Sequence, residues 1–414
     1  MTNAKRSTES TPWHTDQWFV SPWNYVEETR RDFAFPQRVR FHDVCLRDGE
    51  QQAGVEFTPR EKIRLATMLA EAGVHRIEAG MPAVSKYDAQ AIREIVKLKL
   101  PAEIFAFSRC MVEDVKRAVD TGVKGIVMEI PSSEHIIQYA YKWSLERALD
   151  LSIEATRYAK SQGLYTVFFP IDASRAEMGW YLKIIERVAT EGHMDALALV
   201  DTFGVLSPHA VGYLVRETKA RIKKPLETHF HMDFGMGVAN TIIALASGAE
   251  VVHSTISGIG ERAGNVPTED TVLALLTMYG VETGIKTEML TKLSRYVRKI
   301  ANLGMASNRQ IVGDMLYDIE SGIIASWFKN VGSEHLLEVF PFHWNLVGQR
   351  PARVVLGKNS GLDSIKMHLE RIRVKASDEE VNEIVLRVKA ASLKKKGLLD
   401  DQEFRKLVKA VVKR

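Results

Sequence analysis

The chain has only two cysteines, Cys45 and Cys110. That is too few for a disulfide framework, and it fits a reducing compartment. No run of about eighteen apolar residues occurs, which excludes a membrane-spanning helix. The amino terminus, MTNAKRSTESTPWHTDQ, lacks the apolar centre of a secretory signal. A cytoplasmic protein with no membrane partner is therefore expected. An excess of one charge is missing too: 56 Lys and Arg face 52 Asp and Glu, leaving +4 on 414 residues. No nucleic-acid partner is expected from so small a surplus. The surplus sits in the tail beyond Lys375, which holds Lys394-Lys395-Lys396. With 45% hydrophobic and 26% charged residues, the composition is that of a globular protein and excludes disorder and collagen-like repeats. A chain this long buries enough core to fold without staples.

What is present is a rhythm. Residues 1–35 are polar and dotted with Trp13, Trp18 and Trp23, reading as an N-terminal arm that packs on a neighbour or on the next domain. From Arg38, short β-branched or aromatic runs alternate with segments of helical period. The runs are 39–45, 75–80, 103–108, 124–130, 165–170, 196–201, 226–231 and 250–256. Between the first two lies PREKIRLATMLAEAG, with Pro59 at the first helical position and Gly73 at the stop. Regular β-then-α alternation means parallel strands with helical crossovers. Eight such units predict an α/β fold, a closed (β/α)8 TIM barrel over residues 36–285. No Gly-rich dinucleotide fingerprint follows the first strand, which disfavours an open doubly wound sheet. Residues 286–414 read as a C-terminal helical accessory region, with Asp378 and Asp401 at helix starts.

Active sites of such barrels form at the carboxyl ends of the strands, and three clusters fall there. Arg47-Asp48-Gly49-Glu50-Gln51 follows the first strand; alone, it reads equally well as a surface turn with a local ion pair. His229-Phe230-His231 ends the seventh, and side chains at i and i+2 share one face, so both imidazoles can point to one centre. Two histidines and a carboxylate suit a divalent metal with positions left open for substrate. Gly258-Ile259-Gly260-Glu261-Arg262-Ala263-Gly264-Asn265 follows the eighth strand, where glycines permit positive φ and close backbone approach.

Together these clusters resemble those of the metal-dependent enzymes that condense an acyl-CoA with a 2-oxoacid. These are the 2-isopropylmalate, homocitrate and citramalate synthases, which share a barrel superfamily with 3-hydroxy-3-methylglutaryl-CoA lyase. The resemblance spans residues 38–275 and continues weakly through Ile311-Val312-Gly313 and Leu356-Gly357-Lys358-Asn359-Ser360-Gly361. It implies a divalent metal (Mg, Mn or Zn) held by Asp48, His229 and His231, with Asn265 as a fourth ligand. Arg47 would stabilise the enolate or developing alkoxide. Arg175 and Thr202 would contact the 2-oxoacid carboxylate, and Glu78 would line the pocket. The implied activity is a biosynthetic Claisen-type condensation of an acyl-CoA, acetyl-CoA foremost, with a small 2-oxoacid to give a 2-hydroxy diacid. A homodimer is expected, and, since the chain stops at Arg414, no appended feedback domain.

The chain departs from that family at two places. A glutamate usually precedes the Asp-Ala-Ser-Arg run, where Ile171 stands here. A histidine usually follows Glu-Ser-Gly-Ile, where Ile324 stands. An isoleucine moves no proton, so the metal part is complete while the acid–base part is depleted. His135 and Asp172 are the catalytic candidates to replace it, and Tyr139, His253, His335 and His343 could also supply a base. The depletion keeps two other readings open, a metal-dependent C–C lyase or aldolase and a catalytically silent paralogue. The loop cysteine of the lyase branch is absent from the 258–265 segment.

Overall fold

A computed structural model describes residues 11–412, and residues 1–10 of the arm lie outside it. Eight parallel strands close on themselves in chain order. They are β1 (Arg40–Asp43), β2 (Arg76–Glu78), β3 (Glu103–Arg109), β4 (Gly125–Pro131), β5 (Tyr165–Ile171), β6 (Ala196–Asp201), β7 (Leu226–Phe230) and β8 (Val251–Ser254). β8 pairs with β1, His253 opposite His42, which completes the expected (β/α)8 barrel. Strands covered on both faces read as continuous apolar runs rather than alternating ones, and β6 is buried throughout. The helix Pro59–Glu71 starts on a capping box between Thr58 and Glu61, with Pro59 at its first position. It stops at Gly73, whose φ is +91°. A Cβ there would lie 2.6 Å from the Gly284 carbonyl oxygen.

The barrel interior is divided. Its β3–β6 side is apolar, built from Phe105, Phe107, Val127, Val167, Phe169, Ala196, Ala198 and Val200. The β1, β2, β7 and β8 side carries buried polar groups, among them His42, Arg76, Glu78, Glu227, His229 and His253. This second half positions the site.

The chain forms two compact units, and their limits differ from the expected boundaries at 35 and 285. Residues 22–305 form one, so the helix Leu290–Ile300 packs with the barrel. Residues 22–35 join that unit through Tyr25 on the Thr277 carbonyl and Arg30 on the Tyr279 carbonyl. Residues 11–21 belong with 306–412: Phe19 N–H donates to the Pro341 carbonyl and His14 stacks on Phe19. This second unit is less purely helical than expected. Asp318–Ile319 and Arg353–Val354 pair as a short parallel ladder. Its helices Asp378–Lys395 and Asp401–Val411 are capped by Ser377 and Asp400, one residue before the aspartates expected to start them. Among the described residues no helix is long and apolar enough to cross a membrane.

Candidate metal centre and active site

Past β1, Asp43 accepts a hydrogen bond from the Cys45 amide, turning the chain so that Arg47 and Asp48 cross the barrel mouth. Asp48 there meets the end of β7. One carboxylate oxygen lies 3.2 Å from His229 Nε2 and 3.8 Å from His231 Nε2. The other accepts from Asn265 Nδ2 at 2.9 Å. All four residues are buried. The loop after β8 brings Asn265 in by left-handed turns. At Gly260 a Cβ would lie 2.2 Å from Asn265 Nδ2 and 3.1 Å from Asp48 Oδ1, so only glycine leaves this cradle open.

Charge and hydrogen bonding prepare the group for a cation. Burial tends to raise the Asp48 carboxyl, but Arg47 and the two imidazoles outweigh it and hold it well below the carboxylate range. Burial pushes His229 down to about 3 and lowers His231. Both rings are therefore neutral near pH 7, the ligating form. Asn265 Oδ1 and the Nδ1 atoms of both histidines are buried without a partner. Atoms ligating one ion at about 2.1 Å stand about 3.0–3.4 Å apart at right or tetrahedral angles, and the 3.2 and 3.8 Å separations leave such a gap. The residues fit a divalent metal.

Arg47 lies beside this group, its guanidinium 3.9 Å from the Phe107 ring centre. It donates to Glu78 on β2, to Asp48 and to Gln51, while Nη2 is buried and unpartnered. Next to Arg47 opens a cavity of about 610 Å3, lined in part by Gln51, Val55, Phe57, Met81 and Tyr87. Its volume suits a small organic ligand.

The β4–β6 ends gather a second set of residues. Asp172, in left-handed conformation with φ 61°, is fully buried. Its carboxylate accepts two bonds from Arg175 and one from Ser133, and His135 Nε2 lies 3.1 Å away. Its amide donates to Thr202 Oγ1. Arg175 and Arg262 both lie over the Phe203 ring, at 3.8 and 5.0 Å. So Arg47, Asp48, Glu78, His229, His231 and Asn265 form one cluster, and His135, Asp172, Arg175 and Thr202 form another. The remaining candidates sit elsewhere. His253 bonds to Glu227 within the barrel, Tyr139 is exposed, and His335 and His343 belong to the 306–412 unit.

Sequence reasoning passes over Glu129 on β4, although a lone acid in the apolar run GIVMEIP is a signal. It also passes over a second buried group, His42, Glu227 and His253, whose ligand-type atoms lie within 4.8 Å of one another. Nothing in their spacing along the chain announces that they meet.

The HMGL-like family profile matches residues 38–297, and the chain belongs to that family. Over most of its length it is similar to biosynthetic synthases of archaea. It is 37% identical to the 2-isopropylmalate synthase of Methanocaldococcus jannaschii over 91% of this chain and 72% of that protein. It is 36% identical to the homocitrate synthase AksA of Methanothermobacter thermautotrophicus over 95% of this chain and 98% of that protein. The (R)-citramalate synthase CimA of Methanocaldococcus jannaschii is 36% identical over 85% of this chain and 70% of that protein. The barrel also superposes on the hydroxymethylglutaryl-CoA lyase of Pseudomonas aeruginosa with a TM-score of 0.59, at 22% identity, over 65% of this chain and 95% of that one. That likeness is one of fold.

Proposed function

We propose that this protein condenses acetyl-CoA with a small 2-oxoacid, releasing the thiol and a 2-hydroxy diacid. The observation that carries the reading is the kinship with three kinds of 2-oxoacid synthase over nearly the whole chain, joined to a buried Asp48–His229–His231 group at the barrel mouth. Those three residues, with Asn265, would hold a divalent metal. Bound there, Mg or Mn supplies Lewis acidity to the ketone and carboxylate of the oxoacid.

The chain's own groups do the rest. Arg47 is fixed by Glu78 and Asp48, so its unpartnered Nη2 faces the oxygen on which negative charge develops, with no reorganisation needed at that moment. Arg175 is held by Asp172 and Thr202 lies beside it, and the two serve the oxoacid carboxylate. The cavity beside Arg47 takes the body of the substrate. His135, about half exposed and leaning on Asp172, exchanges protons between the mouth and water; Asp172, with both oxygens occupied, orients it. The buffered proton is the one that ends on the new hydroxyl. A homodimer and a cytoplasmic setting complete the proposal.

Thiol release from acetyl-CoA, followed over a panel of 2-oxoacids with Mg or Mn present, tests it. Metal-dependent release with one small oxoacid is expected; no release with any of them overturns the reading. Asp48→Ala should lower metal content and cut turnover by about 1,000-fold or more, because the single carboxylate of the ligand group is gone.

A further inference from the structure

The condensation needs a base for the thioester methyl group. Most titratable groups at the mouth are already engaged. Asp48, His229 and His231 form the candidate ligand group. One Glu78 oxygen grips Arg47, and although the other accepts no hydrogen bond, Arg47 and His42 outweigh burial and hold this carboxyl down at about 2, too weak a base. Asp172 is saturated by Arg175 and Ser133. Glu129 differs: among the described residues its carboxylate has no hydrogen-bond or ion-pair partner.

Its placement follows from β4. Val127, two residues earlier, packs on the apolar interior with Phe107 and Phe169, so alternation puts Glu129 on the same inward face, one step nearer the mouth. In the sheet it stands level with Arg109 on β3 and Phe169 on β5. Phe169 in turn packs edge-on against His229, 4.7 Å between ring centres, and lies under Arg47. Glu129 is thus intermediate in burial, neither sealed nor freely exposed.

We propose that Glu129 is the base that removes the methyl proton of acetyl-CoA, a catalytic role that rests on the condensation reading. Its carboxylate oxygen forms an O–H bond as the methyl C–H bond breaks, and the C–H electron pair stays as the enolate. That pair then forms the C–C bond to the ketone carbon, while the C=O π pair moves to the oxygen facing Arg47. The proton returns from Glu129, through His135 or water, to that oxygen. Water then cleaves the C–S bond, and the thiolate leaves with a proton.

The groups around Glu129 are those such a base requires. Burial raises its carboxyl to about 7, against the pull of Arg47 and Arg109, with Asp114 and Glu78 pushing the same way as burial. Tyr141 and Cys110, the other titratable neighbours, are themselves pushed up by burial and stay neutral near pH 7. A carboxylate titrating near the working pH is both available and basic enough.

The test compares wild type with Glu129→Gln and Glu129→Asp, metal-loaded. Three readouts apply: thiol release, exchange of acetyl-CoA methyl protons in D2O followed by NMR, and oxoacid binding by calorimetry. In Glu129→Gln both thiol release and methyl exchange should fall by about 100-fold or more, with oxoacid affinity held within about 3-fold. Glu129→Asp should recover part of the rate and move the acidic limb of the kcat profile. Methyl exchange retained in Glu129→Gln overturns the assignment, as does a loss explained wholly by weakened binding. Wild type that exchanges methyl protons but releases no thiol with any oxoacid refutes the condensation alone, and Glu129 is then judged on exchange. Wild type with neither activity overturns both.

Discussion

Two groups of two imidazoles and one carboxylate lie in the same barrel, and they are not alike. At the mouth, Asp48 stands 3.2 and 3.8 Å from its histidines, and Asn265 Oδ1 is free. In the interior, Glu227 is closed: His253 Nε2 is 2.7 Å from one oxygen, and Arg76 donates to the other at 2.6 Å. A separation of 2.7 Å is a hydrogen bond and leaves no room for an ion between the two atoms. Arg76 also supplies the positive charge that a cation would bring. Composition therefore does not decide what such a cluster does; prior commitment of its carboxylate does, since both His42 nitrogens lack a hydrogen-bond partner and it is Glu227 that His253 and Arg76 occupy. The mouth is arranged for a ligand, and the interior is an internally neutralised column that fills the polar half of the barrel.

The largest effect expected from that contrast is on stability. Glu227→Gln leaves Arg76 with the exposed Glu103 as its remaining carboxylate partner, inside a barrel wall where Phe105 and Tyr165 flank its guanidinium. Breaking a buried pair from one side costs about 3–5 kcal/mol. Urea unfolding should show that loss while bound metal, measured on the folded protein, stays at the wild-type level. Metal lost from a variant of undiminished stability would reverse the assignment of the two clusters.

The mouth was readable in the sequence because its signals are local. His229 and His231 share a face through the two-residue period of a strand, and Arg47-Asp48 follows the first apolar run. The barrel was readable for a similar reason: each strand is a short apolar run and each crossover an amphipathic helix. The interior column was not, because His42, Glu227 and His253 come together only when β8 closes onto β1. Asp172 shows the same limit within the active site. Its position beside Ile171 suggested a replacement base, yet the bonds from Arg175 and Ser133 that occupy it are tertiary. Glu129 carries the converse lesson. A single acid in an apolar strand is ambiguous until the arginines from β3 and from the loop after β1 are in place around it.

A smaller effect separates the clusters by pH. Burial, reinforced by His253, holds the His42 imidazole at about 4, against 6.5 unperturbed. Between those values the unfolded chain takes up a proton that the folded protein refuses. The stability owed to neutral His42 is therefore complete above pH 6.5 and drains away as pH falls toward 4, about 3 kcal/mol in all. His42→Gln should flatten the stability profile across that window. An unchanged slope would mean that His42 is not held neutral by the column.

The smallest effect returns to the mouth and tests whether Asn265 is a ligand or a brace. Its Nδ2 donates to Asp48 and to the Ile259 carbonyl, so it fixes the carboxylate whichever role Oδ1 has. Asn265→Ala removes both functions but leaves Asp48, His229 and His231, and residues of this kind typically change metal affinity by about 10–100-fold. Asn265→Asp keeps an oxygen where Oδ1 was and loses the donor to Asp48. If Oδ1 ligates, titration with Mn should place Asn265→Asp closer to wild type than Asn265→Ala. If Nδ2 is the part that counts, Asn265→Asp should bind more weakly than Asn265→Ala, since it sets a second carboxylate against Asp48. Urea stability of the interior column should be the same in both, because the Asn265 side chain bonds to Asp48 and Ile259 at the mouth.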